Sequence, residues 1–152
     1  MFISALVVLA LDQASKALVR TVLPAGKSVD LWVLVLRQVR NPGTAFGILH
    51  GKSPALFLAS IAIFAVLLLA LWRWGKTGSR LFQAAMGLLI GGALGNIIDR
   101  IFLGEVVDFI DLRFWPVFNF ADTAIVIGVV LAIAVILADT WKEHGETYRE
   151  EA

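Results

Sequence analysis

Ala55–Trp72 reads ALFLASIAIFAVLLLALW, eighteen residues in which Ser60 is the single polar side chain. As a helix rising ~1.5 Å per residue it nearly crosses a hydrocarbon core ~30 Å thick, and it is the clearest of four candidate spans. Working outward, Phe120–Ala138 is apolar apart from Asp122 and Thr123 at its start and Gly128 within it. Leu81–Phe102 is apolar through Leu94 and carries Gly87, Gly91, Gly92 and Gly95, small residues spaced so that helix backbones can approach closely in lipid. Its far end holds Asn96, Asp99 and Arg100. The first segment, Met1 to about Val22, is apolar to Leu11 and then meets Asp12, Gln13, Ser15 and Lys16 within one span's length. A cleaved signal peptide is the rival reading of this segment. No basic region precedes Phe2–Leu11, however, and a charged, helix-forming stretch follows where small cleavage-site residues belong, so the helix is expected to stay in the mature protein.

Composition points the same way. Of 152 residues 59% are hydrophobic and 16% charged, and the mean hydropathy is +0.85, for which a bilayer is the simplest solvent. No linker, repeat or low-complexity tract divides the chain, so residues 1–152 read as a single integral membrane domain. The expected fold class is an all-α membrane protein: four transmembrane helices (1–22, 55–72, 81–102, 120–138), with a small extracytoplasmic β-rich surface subdomain (23–54) between the first two. Within it Ser28–Val39, SVDLWVLVLRQV, is β-branched and aromatic and predicts short strands packed on the membrane surface, punctuated by Pro24, Gly26, Asn41, Pro42, Gly43 and Gly47. Arg73–Arg80 and Leu103–Asn119 read as short connections. Arg73, Lys76 and Arg80 place the middle loop, and with it both termini, on the cytoplasmic side, against a longer first loop that carries Lys27, Arg37, Arg40 and Lys52. The acidic tail from Asp139 reads as a solvated helix end.

Several function classes drop out. With a formal net charge of +1 and scattered basic residues, nucleic-acid binding is not expected. The absence of cysteine excludes a disulfide framework, a thiolate nucleophile and a cysteine metal site. His50 and His144 lie far apart without ligand-like neighbours, and no metal or cofactor is expected.

An ionisable residue in a span costs ~2.5–3.5 kcal/mol at the helix centre, so each calls for a reason. Asp12 and Lys16, one helical turn apart, can pair, either as a neutralised structural pair or as a brace for a site built by other helices. Asn96, Asp99 and Arg100 share one face of the last turn of the third span. There an arginine and an amide suit recognition of peptide carbonyls, or else anchor the helix end. In Glu105–Asp111, EVVDFID, Asp108 sits among Val106, Val107, Phe109 and Ile110, company that should raise its pKa by desolvation. Asn119-Phe-Ala-Asp122 has the spacing of a capping box, and the field of a helix N-terminus would keep Asp122 ionised. Asp108 and Asp122 bracket one short loop and therefore lie on one side of the membrane. Two aspartates sharing a proton can hydrolyse an amide, one taking a proton from water while the other protonates the scissile carbonyl. A small transporter with Asp12, Lys16, Asp99 and Arg100 along an ion path is the competing class. Against it, the polar groups gather toward one side, and none lies mid-way along the second or fourth span.

Taken together these segments resemble the lipoprotein signal peptidases, or type II signal peptidases, of bacteria. The motifs are Asp12-Gln-Ala-Ser-Lys16, Asn41-Pro-Gly-Thr-Ala-Phe-Gly47, Gly91-Gly-Ala-Leu-Gly-Asn-Ile-Ile-Asp-Arg100, Val106-Val-Asp-Phe109 and Phe118-Asn-Phe-Ala-Asp122, in that order along the whole chain. Pro42 and Thr44 depart from the Asn-x-Gly-Ala-Ala-Phe-Gly pattern. The resemblance implies an aspartyl endopeptidase of the cytoplasmic membrane that removes signal peptides from prolipoproteins, cutting on the N-terminal side of a diacylglyceryl-modified cysteine. It implies Asp108 and Asp122 as the catalytic pair. Asn41, Gly43, Asn96, Asp99, Arg100 and Asn119 would contact substrate or shape the pocket, and Asp12 and Lys16 would support it. The expected partners are diacylglyceryl-modified prolipoproteins and membrane lipids, and a monomer is expected.

Overall fold

The computed structural model describes residues 1–24, 26–42, 65, 69 and 79–150, with side chains described as far as Trp141. Among these residues three helices are long and apolar enough to cross a membrane: α1 (Phe2–Val22), α2 (Arg80–Leu103) and the Phe120–Trp141 part of α3 (Phe120–Glu150). Three strands, β1 (Ser28–Asp30), β2 (Val35–Asn41) and β3 (Val106–Asp111), form one antiparallel sheet in that order. The expected second span, 55–72, lies outside the described residues except for Ala65 and Leu69, which are helical and exposed. Gly43 and His50 also lie outside them, as does the side chain of His144.

Helix α1 is polar inward and apolar outward. Val8, Asp12, Lys16 and Val19 form its buried stripe at helical spacing, while Phe2, Ile3, Leu6 and Leu18 are exposed. In hydrocarbon this arrangement hides the charges and leaves the greasy face to lipid. Helix α2 is the most buried of the three and lies between the other two. Its N-terminus is capped by Ser79, whose hydroxyl accepts from the Phe82 N–H at 3.2 Å. It stops at Gly104, which takes a left-handed φ of 76° and donates its N–H to the Arg100 carbonyl at 3.1 Å.

The glycines of α2 set the approach of both neighbours. A methyl group at Gly91 would lie 2.5 Å from the Ala5 carbonyl oxygen, and one at Gly92 would lie 2.6 Å from that of Ala121. Gly95 abuts the Asp12 carboxylate in the same way. Since Gly87 faces Met1 and Ser4 while Gly95 faces Asp12, α1 and α2 run parallel; Gly92 against Ala121 and Gly128 against Ala85 make α3 antiparallel to them. Phe82, Met86, Leu89 and Val135 fill the α2–α3 seam.

The sheet sits where α1 ends, with Val19 and Leu23 packed on Phe109 of β3. Its third strand corrects the expectation of a β subdomain confined to 23–54, because β3 arises in the segment read as a plain connection. Val106, Val107, Asp108 and Phe109 are all buried, so both faces of β3 are covered and the inside–outside alternation that marks a half-exposed strand is missing. Its register pairs Val39 with Asp108 and Asn41 with Val106, past an irregularity between Leu36 and Val39. Beyond β3 the chain folds back. Ile110 and Phe118 exchange backbone hydrogen bonds of 2.8 and 3.1 Å, which returns Asn119 to the side of Asp108.

Candidate active site

Asp108 projects from β3 and is 2% exposed. Residues two apart on a strand share a face, so Asn41, opposite Val106, reaches diagonally to Asp108. Its Nδ2 donates to Asp108 Oδ2 at 2.8 Å, and Asn119 Nδ2 donates to Oδ1 at 2.7 Å. Burial nonetheless dominates, and with the neighbouring Asp122 charge it pushes the Asp108 carboxyl from 3.8 up to about 6, against the pull of both amides and of Lys16. This is the direction expected from its apolar neighbours in sequence.

Asp122 stands in the first turn of α3, half-buried, in a reciprocal capping arrangement. Its N–H donates to Asn119 Oδ1 at 2.9 Å, and its Oδ2 accepts from the Asn119 N–H at 3.2 Å. The remaining oxygen, Oδ1, accepts from Asn96 Nδ2 at 2.8 Å.

Two amides thus link the carboxylates, and their orientations are forced. The buried Lys16 ammonium donates to Asn96 Oδ1 at 2.9 Å, so the Asn96 amino group must face Asp122. Asn119 spends its oxygen on the helix N–H, so its amino group faces Asp108 and, at 3.1 Å, Asn96 Oδ1. Each of the two amino groups thus has a carboxylate within hydrogen-bonding distance, Asn96 that of Asp122 and Asn119 that of Asp108.

Beneath the bridge lies an ion cluster. Lys16 Nζ contacts Asp12 at 2.8 Å and Asp99 at 3.0 Å, and the three side chains are at most 2% exposed. Asp12 also accepts from the Ala121 N–H at 3.0 Å, and Asp99 from the Val107 N–H at 3.1 Å, so the cluster ties α1 to α2, to the start of α3 and to β3. Arg100, half-buried, hydrogen-bonds the Asn96 carbonyl at 3.3 Å and interacts electrostatically with Asp122, Asp108 and Asp99. Among the described residues every buried side-chain nitrogen and oxygen has a partner. Two cations, Lys16 and Arg100, stand among the four carboxylates of Asp12, Asp99, Asp108 and Asp122.

The structure therefore brings together Asp12, Lys16, Asn41, Asn96, Asp99, Arg100, Asp108, Asn119 and Asp122; Gly43 lies outside the described residues. Asn96, read in sequence with Arg100 as suited to peptide carbonyls, points into this network, as does Asp99. Among the described residues no cluster of His, Cys, Asp and Glu suited to a metal ion is found.

The signal peptidase (SPase) II family model, Peptidase_A8, matches residues 4–138. The chain belongs to the signal peptidase II family. A lipoprotein signal peptidase of Moorella thermoacetica is 45% identical over 129 residues, covering 84% of this chain and 85% of the relative. Another, of Syntrophomonas wolfei, is 44% identical over 143 residues, 93% and 95% of the two chains. A solved structure described as a bacterial membrane enzyme, determined in meso at 2.3 Å resolution, superposes with a TM-score of 0.76 at 38% identity, covering 91% of this chain and 87% of that one. As a signal peptidase II the chain is a peptidase, and the three apolar helices among the described residues fit a bacterial membrane.

One residue of this cluster escaped the sequence reading. Gln13 Nε2 donates to Asp12 at 3.2 Å, to the Gly95 carbonyl at 3.1 Å and to Asp99 at 3.2 Å. Its signal was its place inside the first motif, directly after Asp12.

Proposed function

We propose that Asp108 and Asp122 are the catalytic pair with which this signal peptidase II removes signal peptides from prolipoproteins, cutting on the N-terminal side of the diacylglyceryl-modified cysteine. The observation that carries the reading is the Asn119 side chain, which donates to Asp108 while its oxygen and backbone N–H hold Asp122. Such a bridge keeps two acids of unequal environment side by side, Asp108 buried with a raised pKa and Asp122 more exposed at a helix N-terminus. Asp122 takes a proton from a water whose oxygen attacks the scissile carbonyl carbon, and Asp108 gives its proton to the carbonyl oxygen. As the tetrahedral species collapses, Asp122 passes its proton to the departing amine and Asp108 recovers its own from the hydroxyl. Asn41, Asn96 and Asn119 polarise the pair, Arg100 and Gly43 serve substrate, and Asp12, Lys16 and Asp99 brace the framework. Asp108→Asn and Asp122→Asn are each expected to abolish cleavage of a lipid-modified precursor in a folded protein; near-normal turnover in either sinks the assignment.

The topology completing this reading has four spans within one domain, both termini cytoplasmic and the pair on the outer side. In support, α1 and α2 run parallel, so the chain between Asn41 at the sheet and Ser79 at the opposite end has to return across the bilayer, and Ala55–Trp72 is the apolar stretch available for it. Exposed aromatics flank the sheet, with Trp32 at 89%, Phe114 at 83% and Trp115 at 61% exposure, and Arg113 grips Asp30 at 2.7 Å between their two loops. Aromatic side chains of this kind settle at the lipid–water boundary, which suits a monomer working among membrane lipids on prolipoprotein substrates.

A further inference from the structure

Two carboxylates beneath the site each hold the backbone N–H immediately ahead of one aspartate of the pair. Asp12 Oδ1 accepts from the Ala121 N–H at 3.0 Å, one residue before Asp122, and Asp99 Oδ2 accepts from the Val107 N–H at 3.1 Å, one residue before Asp108. Ala121 lies in α3 and Val107 in β3, where the dihedrals are fixed, so the spacing of Asp12 and Asp99 is carried into the spacing of the pair. Asp12 and Asp99 repel each other, and two side chains of α1 hold them together. Lys16 Nζ contacts both, at 2.8 and 3.0 Å. Gln13 Nε2, on the same side of the helix, donates to Asp12 Oδ2 and to Asp99 Oδ1, each at 3.2 Å. It also donates to the Gly95 carbonyl at 3.1 Å, one residue before Asn96, whose amide holds Asp122. Resting on the reading of Asp108 and Asp122 as the catalytic pair, we propose that Gln13 is a positioning residue that sets their separation, by lashing together the carboxylates that hold the starts of β3 and α3.

The two ties do different work. An ammonium is a point charge with rotatable donors, so Lys16 neutralises without fixing an angle. The amide of Gln13 is planar and its two N–H bonds stand at a set angle, so it places one carboxylate relative to the other and adds no charge. Gln13 is half-buried, and its loss leaves the Lys16 ion pairs in place, so the fold survives while the frame slackens. Slack matters most when both aspartates are ionised, because like charges then spread and the second charge costs less. The charges around Asp108 are unchanged by such a loss: Lys16 from α1, Arg100 and Asp99 from α2, and Asp122 from α3. Strand β2 brings the Asn41 amide, its Arg37 and Arg40 being paired with Asp111 and Glu105.

The test compares purified wild type with Gln13→Met, which keeps the length of the side chain and has no N–H, on one diacylglyceryl-modified precursor from acid to alkaline pH. Gln13→Met is expected to lose about fivefold in kcat with KM held within about twofold. The alkaline limb of kcat/KM is expected to fall below the wild-type position of about 6, by roughly half a pH unit. An unchanged kcat, a rise in KM alone, or a limb that stays or moves upward overturns the proposal. So does a rate loss that matches the folded fraction measured by thermal unfolding in the same detergent, which is what a merely structural glutamine would give. Gln13→Asn keeps the amide but reaches one methylene less, and serves where Gln13→Met does not fold. It is expected to show the same split of kcat from KM, and wild-type kcat in it refutes the assignment. If Asp108→Asn or Asp122→Asn cuts this precursor at a near-wild-type rate, the catalytic reading fails; if both are inactive while Gln13→Met matches wild type, only the role of Gln13 fails.

Discussion

Replacing Asp108 by asparagine should inactivate the enzyme and stabilise it at neutral and alkaline pH. The folded protein holds the Asp108 proton more tightly than the unfolded chain does, with a pKa of about 6 against 3.8. For an acid raised in this way, stability is greatest at low pH, falls as pH climbs from 3.8, and reaches its floor above about 6. The rise corresponds to ~3 kcal/mol of cost for carrying the charge in the fold. Asparagine removes the charge but not every complication. Both Asp108 oxygens accept from amide nitrogens, those of Asn41 and Asn119, and the one oxygen that asparagine keeps can satisfy only one of these donors. Allowing ~1 kcal/mol for the lost hydrogen bond leaves a net gain of roughly 2 kcal/mol above pH ~7. Below pH ~4 the gain should vanish or reverse, since wild-type Asp108 is then protonated and uncharged. Thermal unfolding in detergent from acid to alkaline pH, wild type against Asp108→Asn, measures the difference. A variant equally destabilised across the whole range would refute the claim that desolvation governs this carboxyl.

Other consequences are tested more simply. Asn41→Ala deletes a donor that favours ionised Asp108, so the alkaline limb of kcat/KM should move upward from about 6 by roughly one pH unit; a fixed or lowered limb contradicts the assignment of that limb. Lys16→Met strands Asp12 and Asp99 without their cation and should cost ~3–5 kcal/mol in denaturation measurements, a loss far larger than for exposed Arg37→Met. Gly95→Ala puts a methyl group against the Asp12 carboxylate and should lower both thermal stability and activity, whereas Ala at position 26, where a side chain meets nothing, should leave activity intact despite a left-handed φ of 88°. Because the chain has no cysteine, Glu105→Cys and Thr77→Cys report topology by labelling from outside the cell: reaction at 105 alone fits the proposed orientation, and reaction at 77 alone reverses it.

Local chemistry was legible in the sequence, and long-range chemistry was not. Asp12 and Lys16 could be paired because an interval of four places two side chains on one helix face, and they do meet at 2.8 Å. The Asn119–Asp122 cap could be read because capping is a contact across three residues. Three of the four expected spans correspond to helices with ends within a few residues, apart from α3, whose helix runs on through the acidic tail. Strand β3 was lost because apolar burial on both faces leaves no period, and with it went the register that sets Asn41 beside Asp108. The links from Lys16 to Asn96 and from Gln13 to Asp99 join residues about eighty positions apart, and no spacing rule announces such contacts. Their identity as buried polar residues in a span was the visible half of the signal; the partner came only with packing.

Cleavage by the Asp108–Asp122 pair is measured by mass spectrometry of a diacylglyceryl-modified precursor incubated with the purified protein, alongside its unlipidated counterpart and the Asp122→Asn variant. Wild type is expected to make a single cut immediately before the modified cysteine, Asp122→Asn to make none, and the unlipidated precursor to show no comparable cut. Equal cleavage of both precursors, or cleavage that persists in Asp122→Asn, would contradict it.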